Sequence, residues 1–179
     1  MKLLKTIRAD RSDSFIFDKA AEPGEWAVSG VFVFAHRDPA SLTGKARAAF
    51  RGGFLGIDSF GWSTLVRIVE ANEADRAGAV ELLAAQLVAL LGAPDLLTAR
   101  AAAEEEIAFA ESLCEHPTAM LIAVSRRYEK DMTHEAFRTL QPSGRWKQAP
   151  VFRFVDVPDE ADVPSELIDF AALVNSERR

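Results

Sequence analysis

The sequence predicts an α+β fold: a mixed, mainly antiparallel sheet of about five strands, with helices mostly on one face. Two observations carry this class. Hydrophobic periodicity switches repeatedly between the two-residue repeat of strands and the 3.6-residue repeat of helices. The stretches also follow the order β-β-α-β-α-α-β-α-β-α, which breaks strict strand–helix alternation in two places and leaves a doubly wound α/β fold as second choice. A chain of 179 residues has the length for one sizeable core, so residues 1–179 are read as a single domain.

In chain order, Asp13 to Lys19, with Phe15 and Phe17, reads as a short strand, followed by a Pro23-Gly24 turn. Trp26 to Ala35 is almost wholly apolar, as expected of a central strand covered on both faces. Asp38 offers a side-chain oxygen to unpaired helix N–H groups, and Pro39 sits where its missing N–H costs nothing. A helix is therefore expected from Pro39 to Arg51, closed by a left-handed Gly52-Gly53 turn. Phe60 to Glu70 alternates like a strand, with Arg67 a lone charge between Leu65 and Val69.

Asn72, with Asp75 three residues on, opens the next helix, and Gly92-Ala-Pro94 stops it. Its apolar stripe is Ala77, Val80, Leu83, Ala84, Leu87, Leu90 and Leu91. Asp95 caps a further helix reaching about Glu115. Ala119 to Tyr128 is a strongly apolar strand, Thr133 to Leu140 a short helix, and Val151 to Val157 a last alternating strand. The segment 158–179 is acidic and carries an amphipathic stretch, Ser165 to Val174, expected to be a docking helix.

Composition excludes several partners and chemistries. A formal charge of −6 argues against a nucleic-acid backbone, which needs clustered basic surface. The arginine pairs Arg8/Arg11, Arg47/Arg51 and Arg126-Arg127 read as solvated helix or strand faces, although local arginine geometry can still hold one carboxylate or phosphate. No apolar run is long enough to cross a bilayer, and the start shows no secretory signal, so a cytoplasmic protein without a membrane partner is expected. One cysteine, Cys114, excludes an internal disulfide or a multi-cysteine metal site.

The motifs that invite chemistry fail in detail. Thr43-Gly44-Lys45 lacks the first glycine of a phosphate loop and has Ala46 where Ser or Thr is needed. Gly53-Phe-Leu-Gly56 has the wrong spacing for a dinucleotide loop, and Gly61-Trp-Ser63-Thr-Leu65 lacks the second glycine of a nucleophile elbow. Glu104, Glu111 and Glu115 share a solvated helix stripe beside an apolar one that ends in Cys114, so no metal site is read there. His36, His116 and His134 are far apart and read as exposed loop or helix-end residues.

What remains is a binding protein without a complete catalytic set, needing no cofactor and acting through a protein partner or as a homodimer. The alternative is a binder of an anionic small molecule, or an enzyme, with its site beside strand 60–70. There Arg67 would hold the anion, Trp62, Phe60 and Phe54 would form apolar walls, and His36 would be the acid or base. A third, purely structural reading makes the acidic surface a solubilising coat around an oligomer.

The runs Leu3-Leu-Lys-Thr-Ile-Arg-Ala-Asp-Arg-Ser-Asp13, Ala21-Glu-Pro-Gly-Glu-Trp-Ala-Val28, Leu42-Thr-Gly-Lys-Ala-Arg47 and Phe54-Leu-Gly-Ile-Asp-Ser-Phe-Gly61 resemble a family of small uncharacterised proteobacterial proteins. The resemblance implies a single bacterial cytoplasmic domain and carries no catalytic residue or cofactor.

Overall fold

The computed structural model describes residues 1–8 and 12–141. Among these are two antiparallel sheets: β1 (Lys2–Thr6), β5 (Leu65–Glu70), β6 (Leu121–Glu129) and β7 (Met132–Leu140) in the order β1-β5-β6-β7, and β2 (Ala27–Val28), β3 (Phe54–Gly56) and β4 (Trp62–Ser63) in the order β2-β3-β4. A Lys5–Trp26 bridge joins the two at β1. The helices are α1 (Ser12–Ile16), α2 (Gly44–Gly52), α3 (Glu73–Leu91) and α4 (Leu96–Ser112). The α+β class therefore holds, with seven strands in two sheets instead of about five in one.

Cross-strand partners share a face, and the register places Leu4, Ile68, Val66, Ile122, Val124 and Arg126 on one side of the larger sheet. All six are buried. Phe137 of β7 continues that face and lies 6.1 Å from Phe54 of β3 and 5.7 Å from Phe109 of α4. The main core thus lies between this sheet face, the smaller sheet and α4, with α3 packed on α4.

The two long helices form as their caps direct. The Asp75 N–H donates to Asn72 Oδ1 at 2.9 Å and the Asn72 N–H donates back to Asp75 Oδ2 at 3.0 Å, a reciprocal capping box. Gly92 closes α3 at φ 70°, and Asp95 caps α4 by accepting from the Thr98 N–H at 2.8 Å.

Several local expectations are corrected. The expected strand from Asp13 is helix α1 over its first part, because Asp13 is buried and turned inward, where its carboxylate accepts from the Thr64 hydroxyl. The ten-residue strand from Trp26 shrinks to Ala27–Val28, because Gly30 takes φ 79° and a short 3-10 turn, Val31–Phe34, follows. A Cβ at Gly30 would lie 2.6 Å from Leu55 Cβ, so only glycine fits where the chain leaves the sheet.

The helix expected from Pro39 is split. Asp38 does cap, accepting from the Ala40 N–H at 2.9 Å, but only a 3-10 turn, Pro39–Ser41, follows, and extended Leu42 and Thr43 precede α2. Gly53 is not left-handed, having φ −99°. It is small because a Cβ there would lie 2.7 Å from the Trp62 ring and 2.9 Å from the Ala49 carbonyl oxygen.

Phe60 to Glu70 breaks at Thr64 into β4 and β5, which belong to different sheets. The helix expected over Thr133 to Leu140 is strand β7, paired with β6 from Leu121↔Leu140 to Glu129↔Met132. The two-residue turn between them, Lys130-Asp131, has φ 52° and 62°, the left-handed pair of a tight hairpin without the usual Asn-Gly signal. β1 was not anticipated, because its lysines mask the buried Leu3, Leu4 and Thr6. The loop at Pro142, the strand over Val151 to Val157 and the helix over Ser165 to Val174 lie outside the described residues.

Candidate functional site

Strand β6 carries the buried row Ile122, Val124 and then Arg126, whose alternation puts an arginine where a core residue belongs. Arg126 is 1 % exposed, a position a charge tolerates only when paired and fully hydrogen-bonded. All five of its N–H groups have partners. Nε donates to Glu135 Oε1 at 2.6 Å; Nη1 donates to the carbonyls of Phe50 at 3.0 Å and Gly53 at 2.8 Å; Nη2 donates to the Ser29 carbonyl at 2.6 Å and to Ser29 Oγ at 2.9 Å. The Ser29 hydroxyl in turn donates to Glu135 Oε1 at 2.6 Å.

Each partner has a local reason to be there. Glu135 is the cross-strand neighbour of Arg126 in the β6–β7 hairpin. Phe50 and Gly53 belong to the last turn of α2 and the residue after it, where carbonyls lack intrahelical donors and the helix dipole favours a cation. Ser29 follows β2 where Gly30 turns the chain away. One side chain therefore ties β6, β7, α2 and the end of β2 together.

A second carboxylate, Glu106 of α4, is half-buried and feels both charges of this pair. The Glu106 carboxyl is pushed up to about 7, first by burial and then by the nearby Glu135 charge, with Arg126 opposing and Glu105 adding to the rise. Burial is also the leading influence on Arg126, lowering its pKa, while Glu135 and Glu106 act to raise it.

Above Arg126 lies a concavity of about 420 Å³ between the Pro39–Ala40 turn, α2 and the end of β6. It is lined by Arg47, Phe50 and Arg51 from α2 and by Arg126, Arg127, Tyr128 and Glu129 from β6. Arg47 and Arg51 are four residues apart and so share a helix face. Among the described residues the ion pairs are Arg8–Glu22, Arg76–Glu111, Arg100–Glu81 and Arg126–Glu135, and none involves Arg47, Arg51 or Arg127. Arg47, Arg51 and Arg127 thus line the concavity without an ion-pair partner among the described residues, against one lining carboxylate, Glu129. A set of planar, bidentate donors of this kind suits a carboxylate or phosphate.

The site expected beside strand 60–70 is not assembled. Arg67 is exposed on the far face of the sheet, between Lys5 and Leu121 in the register. Phe54 is wholly buried in the core on the opposite side. Trp62 is half-buried and packs on Phe34, with ring centroids 5.4 Å apart, beneath the close approaches of Gly30 and Gly53. Phe60 is half-buried in a turn at φ 55°, and His36 is exposed in the loop before the Pro39 turn. Strand alternation separates Arg67 from Phe54, and the break at Thr64 separates it from Trp62.

The concavity is lined instead by two of the three arginine pairs expected to be solvated faces, Arg47/Arg51 and Arg126-Arg127. Arg126 is core and not the solvated face expected of it, because a charge pair in sequence reads as surface. The available signal was its phase, two residues on from Val124 in a buried row. Cys114 is buried, as expected, and burial pushes its thiol up to about 11. Among the described residues no group of three His, Cys, Asp or Glu side chains could hold a metal ion. No single described helix is long and apolar enough to cross a membrane, and α3 with α4, which pass such a test only together, are bent by 119°.

No curated protein and no solved structure matches the chain. A family model does match, over residues 1–155. The chain therefore belongs to a family of unknown function, DUF6505.

Proposed function

We propose that this chain is a binding protein for a small anionic group, a carboxylate or a phosphate, held in the concavity between α2 and the end of β6. The observation that supports the reading is that Arg47, Arg51 and Arg127, none in an ion pair among the described residues, all line one space of about 420 Å³. That size falls within the range of small-molecule sites. Arg126 is the floor, its own donors spent on Glu135, Ser29 and the end of α2, so it shapes the site electrostatically and leaves recognition to the other three. Guanidinium groups neither give nor take protons near neutral pH, which favours binding over acid–base chemistry.

A thermal-shift series with inorganic phosphate, sulfate, pyrophosphate and citrate tests the proposal. An anion at about a hundred times its Kd should stabilise the fold by about 2.7 kcal/mol, and the gain should shrink as ionic strength rises. Arg47→Ala and Arg51→Ala should each abolish most of the gain while leaving the unliganded Tm within about a degree, since both side chains are exposed. A wild-type chain indifferent to every anion would end this reading.

A second reading, self-association, is favoured by a separate observation. Where α3 turns into α4, Val88, Leu90, Leu91, Leu96 and Leu97 are 39 % to 76 % exposed. An apolar patch of this kind can be self-complementary, as a two-fold contact between copies requires. Light scattering should then report a dimer that Leu97→Asp converts to monomer, and a monomeric wild-type chain would remove this reading.

A further inference from the structure

The concavity is larger than a bare anion needs. Its volume of about 420 Å³ lies in the range of sites that enclose drug-sized molecules, whereas sulfate or phosphate is one central atom with four oxygens. The lining also divides by chemistry: Arg47 and Arg51 stand on α2, while Pro39, Ala40 and Tyr128 supply a wall without charge. Tyr128 is two residues on from Arg126, so strand alternation sets it on the same side of the sheet. It is half-buried and packs against the cluster of Phe17, Phe34, Leu42, Ala49 and Phe50, which restrains its ring. Among the described residues the paired rings are Phe34–Phe50, Phe34–Trp62, Phe54–Phe137 and Phe109–Phe137, and none of these pairs uses Tyr128. Its hydroxyl makes only a weak hydrogen bond, 3.4 Å from Asp131 Oδ1.

We propose that the ligand of this concavity is an aromatic acid, a small molecule with a carboxylate or phosphate for the arginines and an aromatic ring that packs on Tyr128. This rests on the anion-binding reading and names the class of ligand that the same site takes. An inorganic anion would satisfy the guanidinium groups and leave the uncharged wall in contact with water. A ring on the same molecule removes that wall from water, and two aromatic rings gain a further increment beyond the area they bury. Because Tyr128 is already restrained by the Phe17–Phe50 cluster, little freedom is lost when the ring arrives. Arginines alone distinguish poorly among acids of equal charge, so the Tyr128 wall is the part of the site that selects one acid over another.

Titration of the full chain with phenyl phosphate, cyclohexyl phosphate and inorganic phosphate at constant ionic strength tests the proposal. Phenyl phosphate should bind about fivefold more tightly than cyclohexyl phosphate, the size of one aromatic contact beyond buried area, and inorganic phosphate should bind most weakly. Tyr128→Leu should remove the fivefold preference and Tyr128→Phe should keep it, whereas Arg47→Ala should weaken all three ligands by a similar factor. Phosphate that binds while phenyl phosphate gains nothing over cyclohexyl phosphate overturns the ligand class and leaves the anion site standing. Binding of none of the three overturns the site and the ligand class together. A second measurement uses the unsubstituted chain, in which Tyr128 is the sole tyrosine. With ring-carbon-labelled tyrosine, every NMR signal from the label belongs to that residue. Phenyl phosphate should move those signals well beyond what inorganic phosphate does. Signals left in place by saturating phenyl phosphate overturn the ligand class even if Tyr128→Leu folds poorly.

Discussion

Arg126 and Glu106 show how burial changes what a charged residue does. The Arg126 guanidinium is out of water, and its stabilising effect depends on every partner being kept. Arg126→Met should cost about 3–5 kcal/mol, because it leaves Glu135 with no cation and the Phe50 and Gly53 carbonyls without donors. Urea denaturation measures it; a loss below about 1 kcal/mol would mean that water replaces the guanidinium cheaply. Glu106 has the opposite sign. Its carboxyl is raised in the folded chain to about 7 from 4.5, so folding favours its protonated form. Stability is therefore full below the unfolded value and declines as pH rises from about 4.5 to about 7. Glu106→Gln should leave the chain unchanged near pH 4 and stabilise it near pH 8 by about 2 kcal/mol, allowing for its partial exposure. Equal effects at both pH values would show that packing, not ionisation, governs the position.

At the scale of elements, caps and turns decided where helices and strands begin and end, and their legibility varied with how local the cause is. Asn72, Asp75 and Gly92 bracket α3 by contacts within a few residues, and those boundaries could be read from the chain. The β6–β7 hairpin could not. Its turn, Lys130-Asp131, puts two non-glycine residues at positive φ, and β7 has a polar sequence that reads equally well as a short helix until β6 pairs with it. Such left-handed residues are held by the surrounding ladder at a cost. Replacing Lys130-Asp131 by Asn-Gly should therefore stabilise the fold by about 1 kcal/mol, provided the weak Tyr128–Asp131 hydrogen bond at 3.4 Å contributes little. A shift in the thermal midpoint of the double variant checks this, and an unchanged or lower midpoint would show that the turn is already relaxed. The same dependence on neighbours explains Gly30 and Gly53, where Leu55 and Trp62 leave no room for a Cβ.

For the whole molecule, an acidic chain presents, among its described residues, an arginine-rich concavity built from residues about eighty positions apart. Converging charges of one sign against a field of the other focus an oppositely charged ligand, so the site should be the most salt-sensitive property of the protein. Raising ionic strength from low to physiological should weaken sulfate binding several-fold while changing the denaturation midpoint little, because the fold is held by its apolar core. Parallel titration and urea denaturation at two salt concentrations would separate the two. A binding constant indifferent to salt would argue that the arginines are spectators.

The amino-acid sequence alone determined the class, the caps of α3 and α4, the apolar strand that ends near Tyr128 and the burial of Cys114, since each follows from periodicity or from bonds within one turn of chain. It also indicated that an anion could use the arginine pairs without saying which pairs meet. Only the tertiary structure decided that Arg67 points away from Phe54, that Arg126 is core, and that α2 brings Arg47 and Arg51 to the end of β6. The physical reason is that these placements depend on strand pairing and long-range packing, where a neighbour distant in sequence supplies the partner that a charge or a turn requires.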